Sequence, residues 1–282
     1  MKLNKKKAGF VVIIVVVLAI GLYFGGRSLF SSSDDVDTTE PKTNDNKTND
    51  TNEFSSLSYY HQDNLEKYKT YKENNPNLSI EDIVTHVNMG IDVPFYSTDP
   101  IIVDNPDAID VLINKVYKLP EDWAPSDLVV VDNNGQQMRK EAAEAYEDLK
   151  ESCSDDGFEL TAHSAYRSTE YQRQIYDNMV KTYGEDYTNK YSSRPGQSEH
   201  TTGLCVDISI DGIAYENIES SSHYDSFKER LEEYGFIVRY PEDKEDLTGY
   251  HYESWHIRYL GKDLAKKVNA SGLTYDEYVA RN

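Results

Sequence analysis

Arg194-Pro195-Gly196-Gln197-Ser198-Glu199-His200-Thr201-Thr202-Gly203-Leu204-Cys205-Val206-Asp207 is the stretch around which the rest of the chain is organised. It offers a histidine and, after six intervening residues, an aspartate, two residue types that bind zinc through nitrogen and oxygen. Near the C-terminus, Tyr252-Glu253-Ser254-Trp255-His256-Ile257-Arg258-Tyr259 adds a second histidine with a glutamate three residues before it. Taken singly, each of these side chains is an ordinary solvated or hydrogen-bonded group. Together they make a His, Asp, His set, the three protein ligands and open fourth position that a hydrolytic zinc site needs. Glu253 is then placed to take a proton from water without being a ligand. The pattern is not HExxH, so a thermolysin-like helix site is ruled out.

Working outward, the two ends of the chain differ. Lys2, Lys5, Lys6 and Lys7 precede Ala8 to Gly26, nineteen residues without a formal charge. As a helix this run spans about 28 Å at about 1.5 Å per residue, close to the hydrocarbon thickness of a bilayer. It predicts a single-pass signal anchor over 8–26 with a cytoplasmic tail over 1–7, because flanking lysines favour the cytoplasmic side. A cleaved signal peptide is the competing reading, although Tyr23 to Ser28 is a poor cleavage site. The expected location is therefore a membrane that the chain crosses once, with everything after Arg27 extracytoplasmic. The formal charge of −21 makes nucleic acid a poor partner. The two cysteines, Cys153 and Cys205, leave three readings open: a disulfide, two buried thiols, or Cys205 as a metal ligand.

Residues 27–53, rich in Ser, Asp, Thr and Asn, read as a flexible linker that cannot bury enough surface to order itself. A small helical appendage is expected over 54–105. Leu65, Tyr68 and Tyr71 recur at helical spacing, and Ser79 begins a capping box ahead of Ile83, Val84 and Val87. Asn105-Pro106 predicts a helix running through Leu112 and Ile113. Leu128 to Val131 predicts a strand closed by the turn Asp132-Asn133-Asn134-Gly135, and Arg139 to Cys153 a long helix. A strand over Phe158 to Tyr166 delivers Arg167, and Ser168 caps a helix expected to turn Tyr171, Ile175, Tyr176 and Val180 inward. One more helix over Asp225 to Tyr234 and strands over Gly203 to Ile210 and Phe236 to Tyr240 follow. Mixed helices and strands in this order argue for an α+β domain over 106–282, built on a central antiparallel sheet flanked by helices.

Three segments carry a resemblance: Ser164-Ala165-Tyr166-Arg167-Ser168 with Gln172 and Tyr176 behind it, Ser192 to Ile208, and Gly249 to Gly261. In order and spacing they resemble the signatures of VanY-type D-alanyl-D-alanine carboxypeptidases. The resemblance implies a LAS-type fold, shared with VanX-type dipeptidases and Hedgehog domains. It also implies Zn2+ held by His200, Asp207 and His256, with Glu253 as catalytic base and Arg167 facing the substrate. The implied substrate is a peptidoglycan stem peptide ending in D-Ala-D-Ala. Ser198, Ser164 and Gln172 are candidate substrate contacts, and His251 a candidate neighbour of Glu253. Trp255 is expected to pack rather than bind. Cys205 departs from the small residue usual at its position, and Ser254 from proline. Rival activities on the same fold are an L,D-carboxypeptidase and a D,D-dipeptidase or endopeptidase. A metal-bound peptidoglycan- or protein-binding module is the rival from outside enzymes.

Overall fold

The structure is a computed structural model that describes residues 52–282. The expected tail, anchor and most of the linker lie outside the described residues. Among the described residues no helix is long and apolar enough to cross a membrane. Glu53, expected as the last linker residue, already opens a 3-10 turn and ion-pairs with Lys72.

The appendage is two helices, α1 (Leu65–Asn74) and α2 (Ile80–Met89), closed around Phe54, Tyr68, Ile83, Val84 and Val87. Ser79 accepts from the Asp82 amide at the start of α2, and Gly90 ends it in the left-handed region at φ 76°. Two short pairs follow: parallel β1 (Ile101–Ile102) with β2 (Tyr117–Lys118), and antiparallel β3 (Leu128–Val130) with β4 (Gln137–Arg139). The helix α3 (Lys140–Asp155) buries Ala142, Tyr146, Leu149 and Cys153; of the face expected from spacing, Ala142, Ala145, Tyr146 and Leu149, Ala145 is only half-buried.

The frame of the molecule is a four-stranded antiparallel sheet in the order β5 (Leu160–Ser164), β6 (Cys205–Ile210), β8 (Glu253–Tyr259), β7 (Phe236–Tyr240). Between β5 and β6 run α4 (Thr169–Tyr183) and α5 (Glu185–Tyr191). Between β6 and β8 lie α6 (Tyr224–Arg230) and a one-turn α7 (Glu245–Thr248); α8 (Lys262–Ser271) and α9 (Tyr275–Ala280) close the chain. The main core packs one face of the sheet against α3 and α6 through Tyr146, Leu149, Val206, Ile208, Phe227 and Ile257. The appendage docks on α9, where Arg281 reaches Thr85 and Asp82.

Two expectations are corrected, and the cysteines follow one of the readings left open. Residues 106–113 form turns rather than a helix, because their carbonyls are taken by side chains from elsewhere. Arg139 donates to Asp107 O, Arg258 to Ile109 O and Val111 O, and the Tyr275 hydroxyl to Asp110 O. Those bonds replace the i to i−4 ladder that a helix would use. On α4, Tyr171 points to solvent at 55% exposure, and Gln172 and Tyr176 form the inward face. Cys153 and Cys205 are two free, fully buried thiols, so no disulfide joins them.

Candidate metal centre

Pairing between β6 and β8 sets Asp207 directly opposite His256, so the two side chains share one face of the sheet. Asp207 Oδ1 lies 3.0 Å from His256 Nδ1. His200 comes from the 3-10 turn Glu199–Thr202 just ahead of β6, which ends at Gly203 in the left-handed region at φ 69°. A Cβ at Gly203 would come within 3.0 Å of Arg139 and Leu128, so the turn requires glycine on two counts. The turn brings His200 Nε2 to 3.3 Å from Asp207 Oδ2, and the two imidazoles meet edge to face at 4.9 Å between centroids.

The remaining ring nitrogens are spoken for. His200 Nδ1 donates to Ala165 O at 2.7 Å, and His256 Nε2 to Glu199 Oε2 at 3.4 Å. Each bond occupies one ring nitrogen and leaves the other, Nε2 of His200 and Nδ1 of His256, directed at Asp207. Two imidazole nitrogens and a carboxylate converging in this way suit zinc. His200, Cys205 and His256 also bring ligand atoms within 4.8 Å of one another, since Cys205 shares a strand face with Asp207. Asp207 fits the set better, because its two oxygens each contact one of these nitrogens. Burial pushes the Cys205 thiol up, but His200 and His256 more than offset this and bring it down to about 7.

Glu253 reaches the same point by an irregularity. A regular pleat would set it on the face opposite His256. The register of β7 on β8 slips between the pairs Val238–Ile257 and Tyr240–Glu253, and Glu253 Oε2 lies 3.7 Å from His256 Nδ1. Packing around the carboxyl, helped by the charge of Asp207, pushes Glu253 up to about 7, suited to exchanging a proton near neutrality. Arg167 enters from the end of β5, its Nη2 3.7 Å from Asp207 Oδ2, while its buried Nε has no protein partner.

A polar pocket opens over these groups, with Gln172, Ser198, Tyr240 and Tyr250 in its walls. The Gln172 amide donates to Ser193 O and Ser192 Oγ, and its oxygen is buried without a partner. Ser164, the register partner of Asp207, lies at the end of β5 and does not line the pocket. His251 is corrected. It precedes β8, is exposed, pairs with Glu245 at 3.4 Å and leans on Tyr191, away from Glu253. Trp255 packs against the core and Tyr215.

Sequence reasoning missed Glu199. Its Oε1 accepts from Arg239 Nε at 2.7 Å and Arg258 Nη1 at 2.9 Å, and Arg239 continues to Asp276 on α9 at 2.5 Å. Burial opposes its ionisation, yet Arg239 and Arg258 hold Glu199 well below the usual carboxylate range. Its position next to His200 was the only sequence signal. The two arginines are 40 and 59 residues away.

Residues 135–262 match the family described as VanY, D-alanyl-D-alanine carboxypeptidase. VanXYC of Enterococcus gallinarum, a bifunctional D-Ala-D-Ala dipeptidase and D-Ala-D-Ala carboxypeptidase, is 32% identical over 176 residues, 59% of this chain and 91% of its own. The chain belongs to the VanY family. The protein YodJ of Bacillus subtilis (strain 168) is 41% identical over 187 residues, 62% of this chain and 68% of its own. The VanY-type fold recurs in two solved structures. The LD-carboxypeptidase LdcB superposes with a TM-score of 0.61 at 38% identity, covering 67% of this chain and 94% of its own. A VanY variant from a VanB-type resistance cassette, in complex with Zn(II), gives 0.54 at 32% identity, covering 60% and 98%. This VanY-family peptidase thus shares its mixed helix and sheet fold with both.

Proposed function

We propose that the chain is a zinc-dependent D-alanyl-D-alanine carboxypeptidase that removes the terminal D-Ala from peptidoglycan stem peptides. The observation that carries this reading is that Nε2 of His200 and Nδ1 of His256 both face Asp207, at 3.3 and 3.0 Å, with Glu253 3.7 Å from the latter. His200 Nε2, Asp207 and His256 Nδ1 would hold a zinc ion, which would supply Lewis acidity towards a water and the scissile carbonyl. Glu253 takes a proton from the attacking water and returns it to the amine of the departing residue, so one carboxyl acts as base and then as acid. Arg167 offers a guanidinium with an unpaired Nε to the oxygen on which negative charge grows, or to the terminal carboxylate. The buried bond from Glu199 holds the His256 ring while this happens.

The likeness to LdcB supports a second reading, an L,D-carboxypeptidase acting on a stem already shortened by one residue. One experiment separates them. Full-length zinc-loaded protein is incubated with muramyl tetrapeptide and pentapeptide, with and without a chelator, and products are followed by mass. Loss of one alanine from the pentapeptide, abolished by the chelator and by Glu253→Ala, is expected. Action on the tetrapeptide alone moves the assignment to L,D; loss of a dipeptide moves it to the dipeptidase class. A folded, zinc-loaded protein that cleaves neither ends the enzyme reading for these substrates and leaves a binding module.

The extracytoplasmic, membrane-anchored placement belongs to this proposal and is supported by the uncharged run Ala8 to Gly26. Cell fractionation checks it, since a mature protein found in the medium with an N-terminus after Phe24 would contradict the anchor.

A further inference from the structure

A line of rings leads away from the pocket. Tyr183 at the end of α4 meets Tyr187 of α5 in a tilted pair at 5.0 Å between centroids, Tyr187 meets Tyr191 in another at 4.5 Å, and Tyr191 meets His251 edge to face at 5.5 Å. Tyr187 and Tyr191 fall four residues apart and so share one side of α5, while Tyr183 ends α4 and meets them across Gly184, where the helix breaks at φ 85°. They are 60%, 46% and 44% exposed, going from the far end to the pocket. Four aromatic rings in mutual contact and open to solvent are not core packing, and such a surface marks a binding face. Tyr191 is the hinge of the argument, because it lines both the pocket over Glu253 and a neighbouring open groove of 820 Å³. The ladder is therefore continuous with the catalytic site.

Three observations limit what lies on it. The tyrosine rings present an apolar face with a polar tip, which suits a pyranose, whose C–H face is apolar and whose hydroxyls point to water. The chain's charge of −21, with Glu185 and Asp186 on α5 itself, disfavours an anionic polymer. The third is reach. In a muramyl pentapeptide three residues separate the residue bearing the scissile carbonyl from the amino sugar, and at about 3.3–3.6 Å each they span about 10 Å. A stem of that length carries the amino sugar outward past the pocket lining, to which Tyr191 belongs.

Resting on the carboxypeptidase reading above, we infer that Tyr183, Tyr187 and Tyr191 form a saccharide platform that binds the uncharged amino-sugar rings of the glycan to which the stem peptide is joined. The enzyme then selects stems on a glycan over free peptides through binding rather than chemistry.

The test uses the full-length zinc-loaded protein, a free pentapeptide ending in D-Ala-D-Ala, and the same peptide carried on a muramyl disaccharide. The expected preference for the disaccharide form is about tenfold in kcat/KM, the size of one or two aromatic contacts, and resides in KM. Tyr183→Ala/Tyr187→Ala removes that preference and leaves the free peptide unchanged, whereas Tyr183→Phe/Tyr187→Phe, which keeps the rings, retains it. Equal rates for the two substrates in the wild type, or a preference that survives the double alanine variant, overturn the proposal. If neither substrate is cleaved, the carboxypeptidase reading has failed separately. Tyrosine fluorescence titrated with a peptide-free N-acetylglucosamine tetramer then decides. Saturable binding lost in the double alanine variant supports the platform, and no binding overturns it.

Discussion

Two layers of charged groups meet at His256, and they are built in opposite ways. Behind the ring, Glu199, Arg239, Arg258 and Asp276 form a chain of short bonds, with the side chains of Glu199, Arg239 and Arg258 fully excluded from solvent. In front of it, Asp207 and Glu253 lie 3.0 and 3.7 Å from the ring, His200 and Arg167 lie 3.3 and 3.7 Å from Asp207, and Arg167 Nε and Gln172 Oε1 find no partner among the described residues. A satisfied network rigidifies; an unsatisfied one waits for a ligand. The difference teaches where structure ends and chemistry begins, one imidazole ring apart.

The sharpest way to break the comparison is to change one carboxylate in each layer. Glu253→Gln, in front, is expected to lower kcat/KM by about a thousandfold, within the range for loss of a general base, with unchanged thermal stability and zinc content. Glu199→Gln, behind, should do the reverse. It leaves Arg239 and Arg258 short of a buried counter-charge, which costs about 3–5 kcal/mol and shows as a large fall in Tm. It also frees the His256 ring, weakening zinc by about ten- to a hundredfold in a competition titration. If Glu199→Gln melted like the wild type, the rear layer would not be the support described. Arg167→Ala should cost about a hundredfold in kcat/KM, the effect of removing one charge-stabilising donor, with little change in Tm.

The pH response of the metal-free protein distinguishes the layers by sign. Glu199 is held below its usual 4.5, so its stabilising contribution is present above that pH and is lost as the pH falls through the acid range. Glu253, raised to about 7, binds its proton more tightly folded than unfolded, so its contribution is present below 4.5 and declines as the pH rises towards 7. Melting curves of the metal-free protein across this range should lose the neutral-side decline in Glu253→Gln and the acid-side loss in Glu199→Gln. The smallest effect concerns the thiols. In denaturant without reductant a thiol reagent should titrate both Cys153 and Cys205, and in the folded protein neither reacts quickly, since both are fully buried.

Much of the front layer was legible beforehand, and the rear layer was not. His200, Asp207, Glu253 and His256 lie within two short blocks whose residue types state their chemistry. Arg239 and Arg258 look in sequence like ordinary strand arginines, and only the folding of α9 and the 3-10 turn against the sheet buries them on Glu199. The same long-range contacts explain the lost helix at 106–113, where local capping signals were overridden by Arg258 and Tyr275 taking the carbonyls. His251 went astray because β8 begins only at Glu253, two residues too late to carry it inward.

By itself, the sequence determined the helical and strand periods of the main elements, the donor types and their order along the chain, because those depend on neighbours a few residues apart. Tertiary structure alone decided which imidazole nitrogens face Asp207, that a register slip on β8 turns Glu253 to the side of His256, and that three surface tyrosines form a line of rings leading from the pocket. Each of these rests on pairs of residues far apart in the chain, which local pattern does not encode.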